Sequence, residues 1–160
     1  MATKYSDADI RAMIKEKKYL PKDFRSKIRL REKRGHKEQE LDIQGATGHQ
    51  FRLVLRQSSY NTLDFSIILG VFPAESTQLF RLRRYNGKSH EHTNIIESVK
   101  FYDYHIHTAT ERYQKLGMRE DSYAEPSDRF ADLHTAINYM FKDCGFELPQ
   151  DPQLRLFEEA

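Results

Sequence analysis

Four histidines in two short segments are the residues of this chain best suited to proton transfer or metal binding: His90-Glu91-His92-Thr93 and His105-Ile106-His107-Thr108 hold four of the seven histidines. His-x-His puts both imidazoles on one side of a β-strand, because side chains alternate with a period of two. With Glu97-Ser98-Val99-Lys100 as the loop of a hairpin, Ile96 pairs with Phe101, Asn94 with Asp103, His92 with His105 and His90 with His107. All four imidazoles then share a face, and Ile95, Tyr102, Thr93, Tyr104, Glu91 and Ile106 turn to the other, mostly apolar side. Opposed Cβ atoms lie about 5 Å apart and neighbours two along a strand about 7 Å, so the rings would enclose room for a small ligand.

Three chemistries suit such a cluster. The plainest is none, a solvated sheet face, since histidine is a polar aromatic that strands tolerate. A second is a metal site in which His90, His92, His105 and His107 are ligands and zinc is the cofactor, imidazole being the commonest zinc ligand. The third needs no cofactor. His90, His92, His105 and His107 would act as catalytic acids and bases on a phosphodiester, one neutral ring taking a proton and a protonated one returning it to the leaving oxygen. Crowding of like charges spreads their pKa values as that division requires.

Cations suited to phosphate lie close by in the chain. Arg81, Arg83 and Arg84 fall on the preceding strand, Lys88 in the following turn, and Arg112 in the first turns of a helix after Thr108, whose free N–H groups would also attract an anion. Each of these has a plainer reading as a solvated strand residue or a surface ion pair with Glu111. Asp121, Glu125, Asp128 and Asp132 read as helix-terminal charges.

The elements around these segments follow from periodicity. Ser6 with Asp9 starts a short amphipathic helix of Ile10, Met13 and Ile14, with Lys15, Lys17 and Lys18 on its solvent side, ending before Pro21. From Lys27 the period is two, and a basic hairpin is expected through Ile28 and Leu30, Arg34-Gly35, and Leu41 and Ile43. A turn at Gly45–Gly48 precedes a half-buried strand of Phe51, Leu53 and Leu55; Phe65–Phe72 is nearly all apolar and should be central and buried on both faces. Leu79–Tyr85 is a further strand, with Asn86-Gly87 as a tight hairpin turn leading into Ser89–Ile96 and Phe101–His107. Thr108–Leu116 reads as a helix stopped by Gly117. Ser127 then caps a longer one carrying Phe130, Leu133, Ile137, Met140 and Phe141, with Gly145 past its end. The expected fold is α+β: an antiparallel meander of six or seven strands, an N-terminal helix and two C-terminal helices. Residues 1–148 form one domain, and 149–160 a tail loosely docked by Leu154, Leu156 and Phe157.

Composition narrows the setting. At 160 residues and 38% hydrophobic the chain supports one core. It has no apolar run long enough for a bilayer and no secretory h-region, so a cytoplasmic, membrane-free protein is expected. Its single cysteine, Cys144, forms no internal disulfide and reads as a small hydrophobe near a helix end. Residues 1–60 carry 15 Lys+Arg against 8 Asp+Glu, whereas 61–160 carry 11 against 16. The basic third suits RNA or an acidic protein partner, and equally an ordinary amphipathic surface paired with the acidic half of the same fold. Gly-rich phosphate loops, Gly-x-Ser-x-Gly, His-Glu-x-x-His and zinc-finger cysteine pairs are absent.

The succession Arg84-Tyr85-Asn86-Gly87, His-x-His, His-x-His and a closing amphipathic helix, from Phe80 to Phe146, resembles small uncharacterised prokaryotic proteins. It is distantly similar to toxin components of toxin–antitoxin pairs that carry an Arg-Tyr-Asp segment before a histidine cluster. The likeness covers less than half of the chain, and Asn86 stands where the aspartate is expected. It implies action on RNA or nucleotides and a cognate antitoxin as partner. The alternative is a non-catalytic module that binds nucleic acid or protein, its histidines structural or metal-binding.

Overall fold

The computed structural model describes residues 4–149, so Leu154, Leu156 and Phe157 lie outside the described residues. Helix α1 (Asp7–Lys15) opens as expected, the Ser6 hydroxyl accepting the Asp9 N–H at 3.0 Å, and buries Ile10, Met13 and Ile14. β1 (Lys18–Tyr19) follows, then a one-turn helix α2 (Phe24–Lys27) where the period of two had suggested the start of a strand. The Ile28 N–H closes that turn on the Phe24 carbonyl, and Phe24 is buried against Phe141. The basic hairpin is therefore shorter than expected. It consists of β2 (Arg31–Lys33) and β3 (His36–Gln44) around Gly35, whose φ of 76° is the left-handed conformation the turn needs.

The rest of the chain runs β4 (Gln50–Ser58), β5 (Phe65–Phe72), β6 (Phe80–Asn86), β7 (His92–Asn94), β8 (Val99–Phe101), β9 (His105–Thr108), α3 (Glu111–Lys115), β10 (Ala124–Pro126), α4 (Leu133–Asp143) and β11 (Phe146–Glu147). Seven strands form one antiparallel sheet in the order β10-β9-β6-β5-β4-β3-β2, with β5 at its centre. β7 and β8 form a hairpin of their own, and β1 pairs with β11 in parallel. Among the described residues there are four helices, and none is long and apolar enough to cross a membrane.

The sheet's two faces differ because alternate residues do. One face carries Leu41, Ile43, Phe51, Leu53, Leu55, Phe65, Ile67, Leu69, Val71 and Tyr85, which join the buried faces of α1 and α4 in a single core. On the other face of β5, Ser66, Ile68 and Phe72 are only half-buried, so the strand is central without being fully covered on both sides. α4 is capped by Asp132 and not by Ser127: the Asp132 carboxylate accepts the Thr135 N–H at 2.7 Å, and the Thr135 hydroxyl accepts the Asp132 N–H. Arg83 and Tyr85 of β6 fasten α4 to the core face through the Asp143 carboxylate. Cys144, at the end of α4, is fully buried, and burial pushes its thiol up to about 11, which makes it a packing residue.

Lys18 is not on the solvent side of a helix. It is completely buried, and its ammonium lies 2.7–2.9 Å from the carbonyl oxygens of Met13, Ile14, Glu16 and Cys144 and 4.5 Å from the centre of the Phe51 ring. It thus satisfies the last carbonyls of α1 and joins that helix to the end of α4. Lys18→Met keeps the stem and removes the donor, stranding four acceptors. We expect a loss of about 2–4 kcal/mol of unfolding free energy in urea, and a loss below about 1 kcal/mol would show that these carbonyls find other donors.

Candidate metal centre

Asn86-Gly87 does not make the tight turn expected of it, since neither residue has the left-handed backbone. Asn86 is buried at the end of β6, accepting the Ser66 hydroxyl at 3.0 Å, and a Cβ on Gly87 would come within 1.9 Å of the Leu63 carbonyl oxygen. From there the chain leaves the sheet. β7 and β8 pair His92 with Phe101, Thr93 with Lys100 and Asn94 with Val99, turning through Ile95–Ser98 with Ser98 at a φ of 55°. The expected pairing of His92 with His105 and His90 with His107 is not formed. β9 returns to the sheet, where it pairs His105 with Asn86 and His107 with Arg84 on one side, and His107 with Ala124 on the other. In the sheet its backbone groups find partners along both edges, whereas a lone hairpin satisfies only one.

The imidazoles meet by this different route. His105 and His107 project from the sheet face opposite the core, and the β7–β8 arm lays His92 across them. The His92 ring stacks on His105 at 5.4 Å between centroids, stands edge-on to His107 at 4.8 Å, and His105 lies 4.9 Å from His107. One ring nitrogen from each of the three lies within 4.8 Å of the others. His90 is exposed beside them, its ring 5.9 Å from that of His105. The arm is held by Asn94, whose side-chain amide accepts the Ala124 N–H at 2.9 Å and donates to the Ala124 carbonyl at 2.7 Å. The Tyr113 hydroxyl adds a second tie, donating to Glu97 at 2.9 Å and accepting the Ile96 N–H at 3.3 Å.

Hydrogen bonding fixes which nitrogen of each ring keeps its lone pair. His105 Nδ1 lies 2.7 Å from the Asp103 carbonyl, and His107 Nδ1 2.7 Å from the Asp121 carbonyl. A carbonyl only accepts, so Nδ1 carries the proton and Nε2 the lone pair in both. His92 Nε2 lies 2.8 Å from Asn94 Oδ1, itself identified as the acceptor by the Ala124 N–H, which leaves the lone pair of His92 on Nδ1. His105 Nε2 is buried with no hydrogen-bond partner among the described residues. Donation of the second ring N–H to a fixed oxygen is the usual outer support of a metal-bound imidazole. Zinc–nitrogen bonds of about 2.0–2.1 Å in a tetrahedron need nitrogens roughly 3.3 Å apart, against the spread of up to 4.8 Å seen here.

Burial lowers the pKa of His105 to about 4, helped by the neighbouring His92, His90 and Arg84 and opposed by its bond to the Asp103 carbonyl. Burial, then Arg84, lowers that of His107 to about 2. Both rings are therefore neutral at ordinary pH. Arg84 stands beside His107 with its Nε 3.3 Å from the carboxylate of Asp121, which is fully buried and also 3.5 Å from Arg81 Nη2. A bulge makes this double approach possible. Arg83 pairs with Leu69 but Arg81 with Gly70, so Leu82 is an extra residue and Arg81 shares a face with Arg84.

Of the other candidate phosphate residues, Arg83 lies on the opposite, core face, bound to Asp143 at 2.7 Å. Lys88 sits 5.8 Å over the Tyr102 ring, and Arg112 pairs with Glu97 at 3.2 Å. The first N–H groups of α3 are already taken, Glu111 donating to Asp7 at 2.9 Å and Tyr113 to the Thr110 hydroxyl at 3.3 Å. A cleft of about 220 Å³ opens beside His92 and His107, with Arg84, Asn86 and His90 among its other lining residues, while His105 lies buried behind it. Asp121 is not helix-terminal, and nothing in its sequence setting separates it from the other acids nearby. Asn94 carried a usable signal, as a polar residue two beyond His92 and so on the same side of the strand. Comparison of the chain with sequence families, with curated proteins and with solved structures finds no match among any of them.

Both histidine pKa values fall on folding, so their contribution to stability is complete above the unfolded value near 6.5 and is lost as pH drops towards the folded values. One unit is worth about 1.4 kcal/mol. The metal-free protein should therefore lose a few kcal/mol of stability between about pH 6.5 and 4.5, before most carboxylates titrate. Urea midpoints across that window measure it, and a flat profile would mean that the rings protonate freely in the folded state.

Proposed function

We propose that His92, His105 and His107 bind a divalent transition metal, zinc by ligand type, and that the protein is a metal-dependent phosphodiester hydrolase acting on RNA or nucleotides. The observation that carries this reading is the set of three converging imidazoles, each with one ring N–H committed to a protein oxygen and a lone pair left on the other nitrogen. Three protein ligands with a further position facing a cleft is the arrangement of catalytic zinc, and structural sites are usually closed by four. An ion there supplies a Lewis acid and lowers the pKa of bound water. His90, exposed at the rim of the cleft, is the residue placed to move a proton to or from solvent. The basic amino-terminal third supports a polyanionic substrate, and an antitoxin-like protein partner belongs to the same proposal.

Acid–base catalysis without metal draws less support. Burial holds His105 and His107 neutral far below physiological pH, so neither is suited to return a proton. Elemental analysis and zinc titration of untagged protein separate the two chemistries, together with RNA cleavage measured with and without chelator. We expect about one zinc per chain and activity abolished by chelator and restored by metal. Asn94→Ala should weaken zinc by roughly 10–100-fold as an outer partner, and His92→Ala by more. Protein that neither binds zinc nor gains thermal stability from it would defeat the metal reading, and turnover that survives chelator would favour the His90–His92 pair.

A further inference from the structure

We propose that Arg84 is the substrate-binding residue of this centre, taking one non-bridging oxygen of a phosphodiester whose other non-bridging oxygen faces the ion; this rests on the metal reading above. Six buried side-chain polar atoms lack a partner among the described residues, and four of them belong to Arg84, His105 and Asp121: Arg84 Nε, His105 Nε2 and both carboxylate oxygens of Asp121. Native proteins leave few buried polar groups unsatisfied, and of these residues Arg84 also lines the cleft, so its unpaired donor marks a place where an acceptor belongs.

The two adjacent arginines of β6 make the contrast. Arg83 Nε is unpartnered too, but its Nη1 donates to Asp143 at 2.7 Å, a charge-assisted bond on the core face. Arg84, on the cleft face, approaches Asp121 only to 3.3 Å and makes no hydrogen bond to it. Asp121 thus offsets the positive charge without occupying the guanidinium, which keeps its donors for an outside acceptor. Arg81 and Arg84 both face Asp121, and Arg81 also pairs with Glu120, so the two guanidinium groups are matched by two carboxylates and the excess positive charge would come from a divalent ion on three neutral imidazoles. An anion is the ligand this field selects.

Size narrows the anion. At about 220 Å³ the cleft is smaller than the roughly 300–1,000 Å³ that encloses a drug-sized ligand, so it admits a phosphoryl group and leaves the flanking parts of the substrate outside. Arg84 faces the cleft from the residue directly paired with His107, so one tetrahedral group can touch both the guanidinium and an ion on the imidazoles. A phosphodiester provides the two oxygens, and planar carboxylates fit such a pair of contacts less well.

The test uses the whole chain loaded with cobalt(II), whose visible spectrum reports its ligands, with dimethyl phosphate, inorganic phosphate and acetate as probes. Both phosphates are expected to perturb the spectrum and to bind more tightly than acetate. Arg84→Lys, which keeps the charge beside Asp121, should weaken both phosphates about tenfold or more while metal affinity stays the same. In the unmutated protein, the Arg84 Nε–H resonance should shift on adding dimethyl phosphate only when metal is present, a measurement that does not depend on the variant folding. Metal binding with phosphate affinity unchanged in Arg84→Lys, or with an unmoved Arg84 resonance, overturns this inference and leaves the metal centre standing. Failure of the unmutated protein to bind cobalt or zinc overturns both.

Discussion

One side-chain amide does most to bring the histidine cluster together. Asn94 pairs with both the N–H and the carbonyl of Ala124, as a neighbouring strand would, and so attaches a separate hairpin to the face of a sheet with which it shares no ladder. Ala124 is itself paired with His107, so the amide docks His92 over the rings projecting from the sheet. The bonds are buried, where an unmet amide would be costly and a met one specifies a single arrangement. The same Asn94 oxygen also receives His92 Nε2, so a single residue sets both the position of the third imidazole and its tautomer.

The strand alternation that builds the core also separates two kinds of charge. Arg83 and Arg84 are neighbours in sequence and neighbours of nothing in common: one is tied to α4 through Asp143, the other stands over His107 and Asp121. The first pair holds the fold together. The second, only loosely closed, gives the centre its electrostatic character. The bulge at Leu82 brings Arg81 back to the cleft side, which allows a fully buried carboxylate to be compensated from two directions.

Much of this was legible in the residues, though not always for the reason that made it true. The His-x-His spacing correctly places His105 and His107 on one side of a strand, because a period of two holds whatever the strand pairs with. The choice of partner was not legible. β9 alternates equally well against the arm or against β6, and only the sheet's capacity to satisfy both of its edges settles the matter. The central place of β5, the cap at Ser6 and the stop at Gly145 follow from local composition and were readable. Ser127 and Asp132 are both good caps by type, and Phe130, which fits the helical stripe, is buried without being in the helix. Lys18 and Asp121 are charged residues whose sequence surroundings look like a surface. Their burial depends on carbonyls and guanidinium groups that only the finished fold assembles.

That dependence has a temporal side. The Lys18 ammonium needs the carbonyl of Cys144, 126 residues away, and β1 needs β11 beside it. Neither contact can form before Cys144 and β11 have been synthesised, and closing so long a loop costs entropy before it returns any enthalpy. The meander from β2 to β6 is built from neighbours and can form while synthesis continues. During that interval the amino-terminal segment has no place to bury its lysine. Its place is completed only when β11 lies beside β1, although β1 also bridges Gly45 at the end of the meander's second strand.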